Sequence, residues 1–234
     1  MNFSEAEWIA IGLSLRVALV AMIASLPLAI AIAFVLARLE FPGKTLLNAT
    51  VHLPLVLPPV VTGYLLLITF GKNGTAGRAL DACCGLVFSF RWTGAVLAAA
   101  VMAFPMIVRA IRLSMEAIDP KLEAAAATLG ANPLRRFFTI TLPLSIPGIL
   151  AGCMLGFAKA LGEFGATITF VSAIPGETQT IASTIYAYTQ APGGDAGIMR
   201  LMIVSIVIAI AALILSEFFA RRMTVHGARR GAAL

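Results

Sequence analysis

Long apolar runs alternate with short charged segments along the whole chain. Residues Val17 to Ala37 form a run of 21 residues without a charge, and about 20 apolar residues are enough to cross the hydrocarbon core of a bilayer. Around the apolar runs lie an external N-terminal segment (1–16), a polar loop (112–143) and a basic tail (220–234). The runs themselves predict five transmembrane helices, over residues 17–37, 49–70, 92–111, 145–173 and 198–219.

The composition excludes an ordinary soluble fold. Hydrophobic residues make up 60% of the chain and charged residues 12%, whereas soluble domains carry about 25% charged residues. The net charge of +6 does not indicate a nucleic-acid partner, because the basic residues lie between apolar runs without an aromatic–basic stripe. With the N-terminus outside, the inner segments hold 11 of the 17 lysines and arginines, which predicts an external N-terminus and a cytoplasmic C-terminus.

Two predicted spans contain groups that disturb a plain transmembrane helix. The second holds Pro54, Pro58 and Pro59, which remove backbone donors, so that the freed carbonyls need partners in other helices or in water. The fourth holds Lys159 and Glu163, which lie four residues apart and share a helix face. We expect an intramembrane ion pair that packs one helix against another. The alternative is a functional role, since ionisable groups inside a span are costly.

The polar loop carries start and stop signals for two short helices. Asp119 followed by Pro120 is an N-cap followed by a residue pre-set for the first helical position. An alanine-rich stretch follows, which favours a helix, and Gly130 can adopt the left-handed backbone conformation that ends it. Asn132 and the proline after it repeat the start signal, which predicts a second helix to about Thr141, before Pro143. Such a rigid element suits the groove of a soluble partner, or it is an ordinary connector.

The same loop resembles a known family motif. Ala124 to Ala126, Gly130 and the string Ile140-x-Leu142-Pro143 are similar to the EAA loop of permeases in binding-protein-dependent ABC importers. The family has glutamate where this chain has Ala124, and Glu123 stands one residue earlier. Further strings resemble the molybdate permease family: RLEFPGK at 38–44, residues 56–61 with Gly63, and GEFGAT at 162–167. Two more, FVSAIPGETQT at 170–180 and QAPGG at 190–194, look closer to molybdate permeases than to sulfate or thiosulfate permeases.

The resemblance implies an all-α membrane protein with the type I ABC importer permease fold over residues 17–219. It implies a homodimer in the bacterial inner membrane, with a cytosolic ABC ATPase homodimer and a periplasmic molybdate-binding protein as partners. ATP and magnesium would bind to the ATPase, and this chain would hold no cofactor, metal or catalytic residue. The residues expected to couple the permease to the ATPase are Glu123, Ala124, Ala125, Gly130, Ile140, Leu142 and Pro143.

Residues of the translocation pathway are predicted from the charge of the solute. An unpaired carboxylate would repel a dianion, and a strong cation would release it too slowly. Hydroxyls and backbone donors are therefore expected along the route. Thr62, Thr167 and Thr169 are candidates of this kind. The outer stretch 174–197 is rich in glycine, proline and threonine and is expected to dock the binding protein or to form part of an outer gate.

Three alternatives remain open from the sequence. The permease could carry another oxyanion, such as tungstate, sulfate or thiosulfate. An ion-coupled transporter would show an inverted repeat, and none is visible. An intramembrane enzyme would need a nucleophile–base pair or a metal cluster, whereas the chain has no GxSxG or HExxH motif and two histidines in all. Gly43-Lys44-Thr45 is not a P-loop, because Arg38 stands where that motif needs glycine.

Overall fold

The computed structural model describes the backbone of residues 3–231 and the side chains of residues 3–215 and of Phe218. The regular elements of this range are helical. They are α1 (Glu5–Arg38), α2 (Lys44–Val56), α3 (Pro59–Phe70), α4 (Thr75–Cys84), α5 (Trp92–Glu116), α6 (Pro120–Thr128), α7 (Pro133–Arg136), a π turn (Phe137–Thr141), α8 (Leu142–Leu144), α9 (Ile146–Leu161), α10 (Gly165–Val171), α11 (Ile181–Thr189) and α12 (Asp195–Gly231).

Helix α1 is longer than the predicted span, because a capping box starts it well before the apolar run. The Glu7 amide donates to the Ser4 hydroxyl (3.3 Å), and the Ser4 amide donates to the Glu7 carboxylate (2.7 Å). The two bonds satisfy donors that would otherwise lack partners at the helix start. Residues 5–16, predicted to form an external segment, are the first turns of α1 and continue directly into the first predicted span, and residues 1–2 lie outside the described range.

The second predicted span, 49–70, is two helices and not one. Helix α2 ends at Val56, α3 begins at Pro59, and their axes differ by 113°. Pro58 and Pro59 occupy the break, and two successive prolines cannot donate hydrogen bonds to the preceding turn. The prolines therefore end one helix and start the next, with the second proline at a first-turn position that needs no donor.

The fourth predicted span, 145–173, is also broken. Helix α9 ends at Leu161 and α10 begins at Gly165, with residues 162–164 between them. The break carries Glu163, so the expected ion pair lies at a helix end and not along one continuous helix.

The second short helix of the polar loop does not end before Pro143 as predicted. The chain continues from α7 through the π turn into α8, and the bend of 65° comes only at Ser145. In the π turn the Leu142 amide donates to the Phe137 carbonyl, five residues earlier. A regular α-helix would press the Pro143 ring against the carbonyl four residues earlier, and the wider turn relieves that clash.

Helices α1, α5 and α9 form the centre of the bundle. Helix α9 presents Gly148, Gly152 and Gly156 to α5, and a Cβ at Gly156 would lie 2.5 Å from Ile107 Cγ1. Small side chains let helix backbones approach closely, which is a main source of helix association in membranes. Helices α1 and α5 pack against each other, and both carry fully buried alanines: Ala18, Ala21, Ala29, Ala33, Ala95, Ala98, Ala99 and Ala103.

Within the described residues, three helices are long and apolar enough to cross a membrane, namely α1, α5 and the 195–215 part of α12. The count rises to five if each of two bent pairs is one span: α2 with α3, and residues 133–144 with α9. Helix α12 continues to Gly231, so most of the segment predicted as a basic tail is helical, and residues 232–234 lie outside the described range.

Candidate functional site

The two short helices of the polar loop meet at a sharp corner, and we call residues 120–136 the α6–α7 element. The Asp119 carboxylate accepts from the Lys121 amide (2.9 Å), and the Asn132 side chain accepts from the Arg135 amide (2.7 Å). Gly130 has a φ of +82°, and the Ala131 amide donates to the Ala126 carbonyl (3.0 Å). This is a Schellman stop, in which a left-handed glycine lets the chain satisfy the last carbonyls of α6. The start and stop signals of the sequence are confirmed at these residues.

Helix α6 has an exposed outer face and a covered inner face. Leu122 and Leu129 are 49% and 88% exposed, and Ala125 between them is exposed as well. Their spacing of three and four residues places them on one side of the helix. Leu134 extends the same apolar surface onto α7, with 70% exposure. Ala124 is exposed too, whereas Glu123 lies on the covered side.

Glu123 is bound by its own chain. Its Oε1 atom lies 3.0 Å from Arg38 Nη2 and accepts a hydrogen bond from the Thr141 hydroxyl at 2.8 Å. The Glu123 side chain is 20% exposed and that of Arg38 is 14% exposed. Arg38 Nη2 also donates to the Ile118 carbonyl (3.4 Å). Glu123 therefore joins α6 to the last residue of α1 and to the π turn.

The remaining predicted coupling residues lie behind the α6–α7 element. Ile140 is half-buried within the π turn and Leu142 is half-buried at the start of α8, whereas Pro143 is exposed. The structure thus brings all seven predicted residues to one end of the molecule, near Arg38, and divides them between an exposed face and a covered one.

The pair predicted inside the fourth span is in contact. Lys159 Nζ donates to Glu163 Oε2 (2.8 Å), and the Ala166 amide donates to Glu163 Oε1 (3.0 Å). Glu163 is 1% exposed at its side chain and Lys159 is 29% exposed. The carboxylate therefore joins the end of α9 to the first turn of α10, where the helix dipole also favours a negative charge.

The three predicted pathway threonines differ in whether their hydroxyl protons are in use. The Thr167 hydroxyl donates to the Phe164 carbonyl (2.8 Å), and the Thr169 hydroxyl donates to the Gly165 carbonyl (2.8 Å). Thr62, in the first turns of α3, is 5% exposed, and its hydroxyl has no hydrogen-bond partner among the described residues. Gly63 beside it packs on α10, where a Cβ would lie 2.5 Å from the Ala166 carbonyl oxygen.

The stretch 174–197 is more ordered than a simple connecting loop. The Ile174 amide donates to the Thr178 hydroxyl (2.8 Å), and Thr178 is 1% exposed. The Ile181 amide, at the start of α11, donates to the Ser14 hydroxyl of α1 (2.7 Å). The stretch is therefore fixed to the end of α1 that lies opposite the α6–α7 element.

Comparison with known proteins decides the family. A family model described as binding-protein-dependent transport system inner membrane component matches residues 25–225. The chain belongs to this family. It is similar to the molybdenum transport system permease protein ModB of Escherichia coli (strain K12), with 57% identity over 221 residues, 94% of this chain and 96% of that protein. The ModB of Haemophilus influenzae is 59% identical over 214 residues, 92% of this chain and 93% of that protein.

The permease also resembles solved transporters in its fold. One is the crystal structure of a bacterial alginate ABC transporter in complex with alginate pentasaccharide-bound periplasmic protein, with a TM-score of 0.74 and 18% identity over 94% of this chain and 80% of that chain. The predicted family and the predicted all-α permease fold are confirmed, and the permease is a multi-pass inner-membrane protein.

One contact of the permease was missed by sequence reasoning. Arg200 of α12 binds Glu7 of α1 through Nη2 (2.8 Å) and Nε (3.2 Å), both to Glu7 Oε1. The Glu7 side chain is fully buried. These residues are 193 positions apart, and no spacing rule links them. An acidic residue three positions after Ser4 was a signal for the capping box, but not for the ion pair.

Within the described residues, no group of three or more histidine, cysteine, aspartate or glutamate side chains could hold a metal ion. Cys83 and Cys84 are exposed at the end of α4, and Cys153 lies half-buried in α9.

Proposed function

We propose that this permease is the membrane-spanning subunit of an ATP-driven importer that carries molybdate into the cell by alternating access. Relatives named as molybdenum transport permeases match nearly the whole chain. The single structural observation that supports the mechanism is the α6–α7 element, which is capped at its corner and at both helix starts and is exposed on one face. A partner that changes shape with ATP can displace such a rigid element and so bias the permease between two states.

The partner on this face would be a cytosolic ABC ATPase homodimer. Leu122, Ala125 and Leu129 form a narrow apolar surface with a small residue at its centre, and such a helix face fits a groove on a soluble protein. ATP and magnesium would be bound by that ATPase. The excess of basic residues in the predicted inner segments supports a cytosolic location for this end of the permease, with a periplasmic N-terminus and a cytoplasmic C-terminus.

A second copy of the chain would cover the bend between α2 and α3. The exposed fractions of Val56, Val60 and Tyr64, on both sides of the break, are 81%, 55% and 57%. A lipid-exposed interruption of the backbone is not tolerated in the hydrocarbon region, unless protein covers it or it lines a water-filled cavity. The bend therefore fits the face between two protomers of a homodimer, with the solute route between them.

Along this route, neutral hydrogen-bond donors would bind the dianion and still release it, whereas a fixed positive charge would hold it too tightly. Lys159 is neutralised by Glu163, so it does not offer a free cation to trap the anion. Thr62 has a hydroxyl proton that is not committed to a described partner, but it is 5% exposed, so it would meet the dianion only in another state of the alternating-access cycle. Thr167 and Thr169 would first have to release the carbonyls of their own helix.

The periplasmic molybdate-binding protein would dock at the opposite end of the permease. The stretch 174–197 lies there with the start of α1 and contains Gly176 and Gly193 at positive φ. Its attachment to α1 through Ser14 gives a docked protein a fixed surface on which to act. The same surface is suited to an outer gate.

Reconstitution tests this function. The permease is purified with its ATPase, placed in liposomes with the binding protein, and uptake of radioactive molybdate is measured. We expect uptake that requires ATP and is inhibited by tungstate, which has the same charge and shape, and much less by sulfate, which is smaller. Uptake driven by an ion gradient without ATP, or a preference for sulfate, would contradict the proposal.

A further inference from the structure

The Glu123 carboxylate is a junction of three elements at one end of the bundle. Its Oε1 atom contacts both Arg38 at the end of α1 and the Thr141 hydroxyl at the end of the π turn. Thr141 is 1% exposed. The π turn leads through α8 into α9, which is the first part of the fourth predicted span. Glu123 therefore ties α6 to two of the membrane helices at once.

The direction of Glu123 separates it from the surface proposed for the ATPase. Leu122, Ala125 and Leu129 are exposed on the outer side of α6, whereas Glu123 is four-fifths covered on the inner side. Its carboxylate already accepts two bonds within the chain. An acidic residue in this position does not offer its charge to a protein docked on the outer face.

The Glu123 junction lies in the first turn of α6. The corner at Gly130 and the exposed α7 lie beyond the junction, where α6 makes few contacts with the rest of the chain. Along the chain, a displacement of α6 reaches α5 through Asp119 and reaches α9 through α7 and the π turn. Across the Glu123 contacts it reaches α1 and the π turn directly. The direct route is the shorter one, because Glu123 itself contacts both Arg38 and the Thr141 hydroxyl.

We propose that Glu123 is a positioning residue that passes the movement of α6 to α1 and to the fourth span through Arg38 and Thr141. The proposal rests on the ATPase partner proposed above. Loss of the junction would leave the ATPase bound, since the outer face is unchanged, but its movement would no longer be fully transmitted. ATP would then be hydrolysed with less solute imported.

The test uses four variants of the permease in the reconstituted importer. Glu123→Gln removes the charge, and Thr141→Val removes the hydroxyl, whereas Thr141→Ser retains it. The fourth is the exchange Arg38→Glu with Glu123→Arg, which restores an ion pair of reversed polarity. Glu40→Gln is the matched control, because Glu40 pairs with Lys44 near the same end and its side chain is 88% exposed.

Two quantities are measured for each variant: the amount of ATPase that co-purifies, and the ATP hydrolysed per molybdate imported. We expect normal co-purification throughout and a rise of roughly fivefold in ATP per molybdate for Glu123→Gln, within the usual range of coupling between sites. Thr141→Val should show a smaller rise, Thr141→Ser and Glu40→Gln none, and the exchange a partial return to the native ratio.

Each contrary result has a distinct meaning. If Glu123→Gln loses the ATPase and the exchange does not restore it, Glu123 is a partner contact and the proposal is wrong. An unchanged ratio in Glu123→Gln also overturns it. If Glu123→Gln does not accumulate in the membrane, the pair Thr141→Val and Thr141→Ser decides by the same ratio. Failure of the native permease to bind an ATPase would instead contradict the proposed function.

Discussion

The two ends of α1 are held by ion pairs of different character. At its start, Glu7 is fully buried, receives two nitrogens of Arg200, and also caps its own helix. At its end, Arg38 makes one contact with Glu123 at 3.0 Å, and both side chains retain some exposure. The first pair joins two long helices of the bundle, whereas the second joins a long helix to the short α6.

This difference indicates which end of α1 is fixed and which end can move. A buried carboxylate cannot leave its partner without a large loss of electrostatic stabilisation. The Arg38–Glu123 pair retains some contact with water, so a shift of this whole pair together with α6 costs less than a shift of the buried pair. The start of α1 is therefore suited to hold the bundle together, and its end is suited to take up a displacement of α6.

The largest expected effect is that of Arg200→Met. Glu7 would then be buried without its cation, and we expect most of the protein to be lost from the membrane fraction. The measurement is the amount of full-length permease in washed membranes, followed by thermal unfolding of whatever can be purified.

The control for that variant is the double change Glu7→Gln with Arg200→Met. It removes both charges and should recover a large part of the protein, because no unpaired carboxylate remains. Equal loss in the single and double variants would mean that the ion pair does not fix the start of α1.

Lys159→Met should have the next largest effect. Glu163 would stay buried with only the Ala166 amide as a partner, at a cost of about 3 kcal/mol in the free energy of unfolding. The double variant Lys159→Met with Glu163→Gln should lose less. Thermal unfolding and molybdate uptake are compared in both, and the same loss in each would reject pairing as the role of these residues.

A smaller effect on stability is expected from Arg38→Met. Glu123 would keep the Thr141 hydroxyl and some contact with water, so the free energy of unfolding should fall by about 1.5 kcal/mol. Thermal unfolding of Arg38→Met and Arg200→Met, measured side by side, compares the two ends of α1 directly. A loss as large as that of Arg200→Met would show that both ends of α1 are equally fixed.

Gly130→Ala should have the smallest effect, because it strains one left-handed residue by about 1 kcal/mol. Hydrogen exchange of α6 is the measurement, and faster exchange is expected. Gly12→Ala in α1 is the matched control, since nothing lies within 4 Å of its Cβ position. That variant should be neutral or slightly stabilising. No change in α6 exchange in Gly130→Ala would argue against the corner as a rigid stop.

The features that the sequence predicted depend on residues close together in the chain. Asp119, Gly130 and Asn132 set their helix ends through bonds to neighbours two to five residues away, and Lys159 reaches Glu163 across one helical turn. Local rules describe such contacts fully.

The features that the sequence did not predict depend on packing. The partners of Glu123 lie in α1 and in the π turn, and Glu7 meets Arg200 only after the bundle has formed. The prolines of the second span predicted irregularity, but not a change of 113° in direction. After the bend, α3 packs closely on α10, a contact that no local rule predicts. The π turn at Phe137–Thr141 likewise has no local signal beyond Pro143.

Accessibility labelling of Leu129→Cys most directly tests the claim that the α6–α7 element is gripped from the cytosol. Leu129 is 88% exposed. The exposed native residues Cys83 and Cys84 lie between the second and third predicted spans, which is the outer side if the N-terminus is external, so they report on that side. In intact cells without the ATPase, a membrane-impermeant maleimide should label Cys83 and Cys84 but not position 129, which should become labelled in inverted vesicles. Bound ATPase should then protect position 129. Labelling of position 129 from outside, or no protection by the ATPase, would contradict the account.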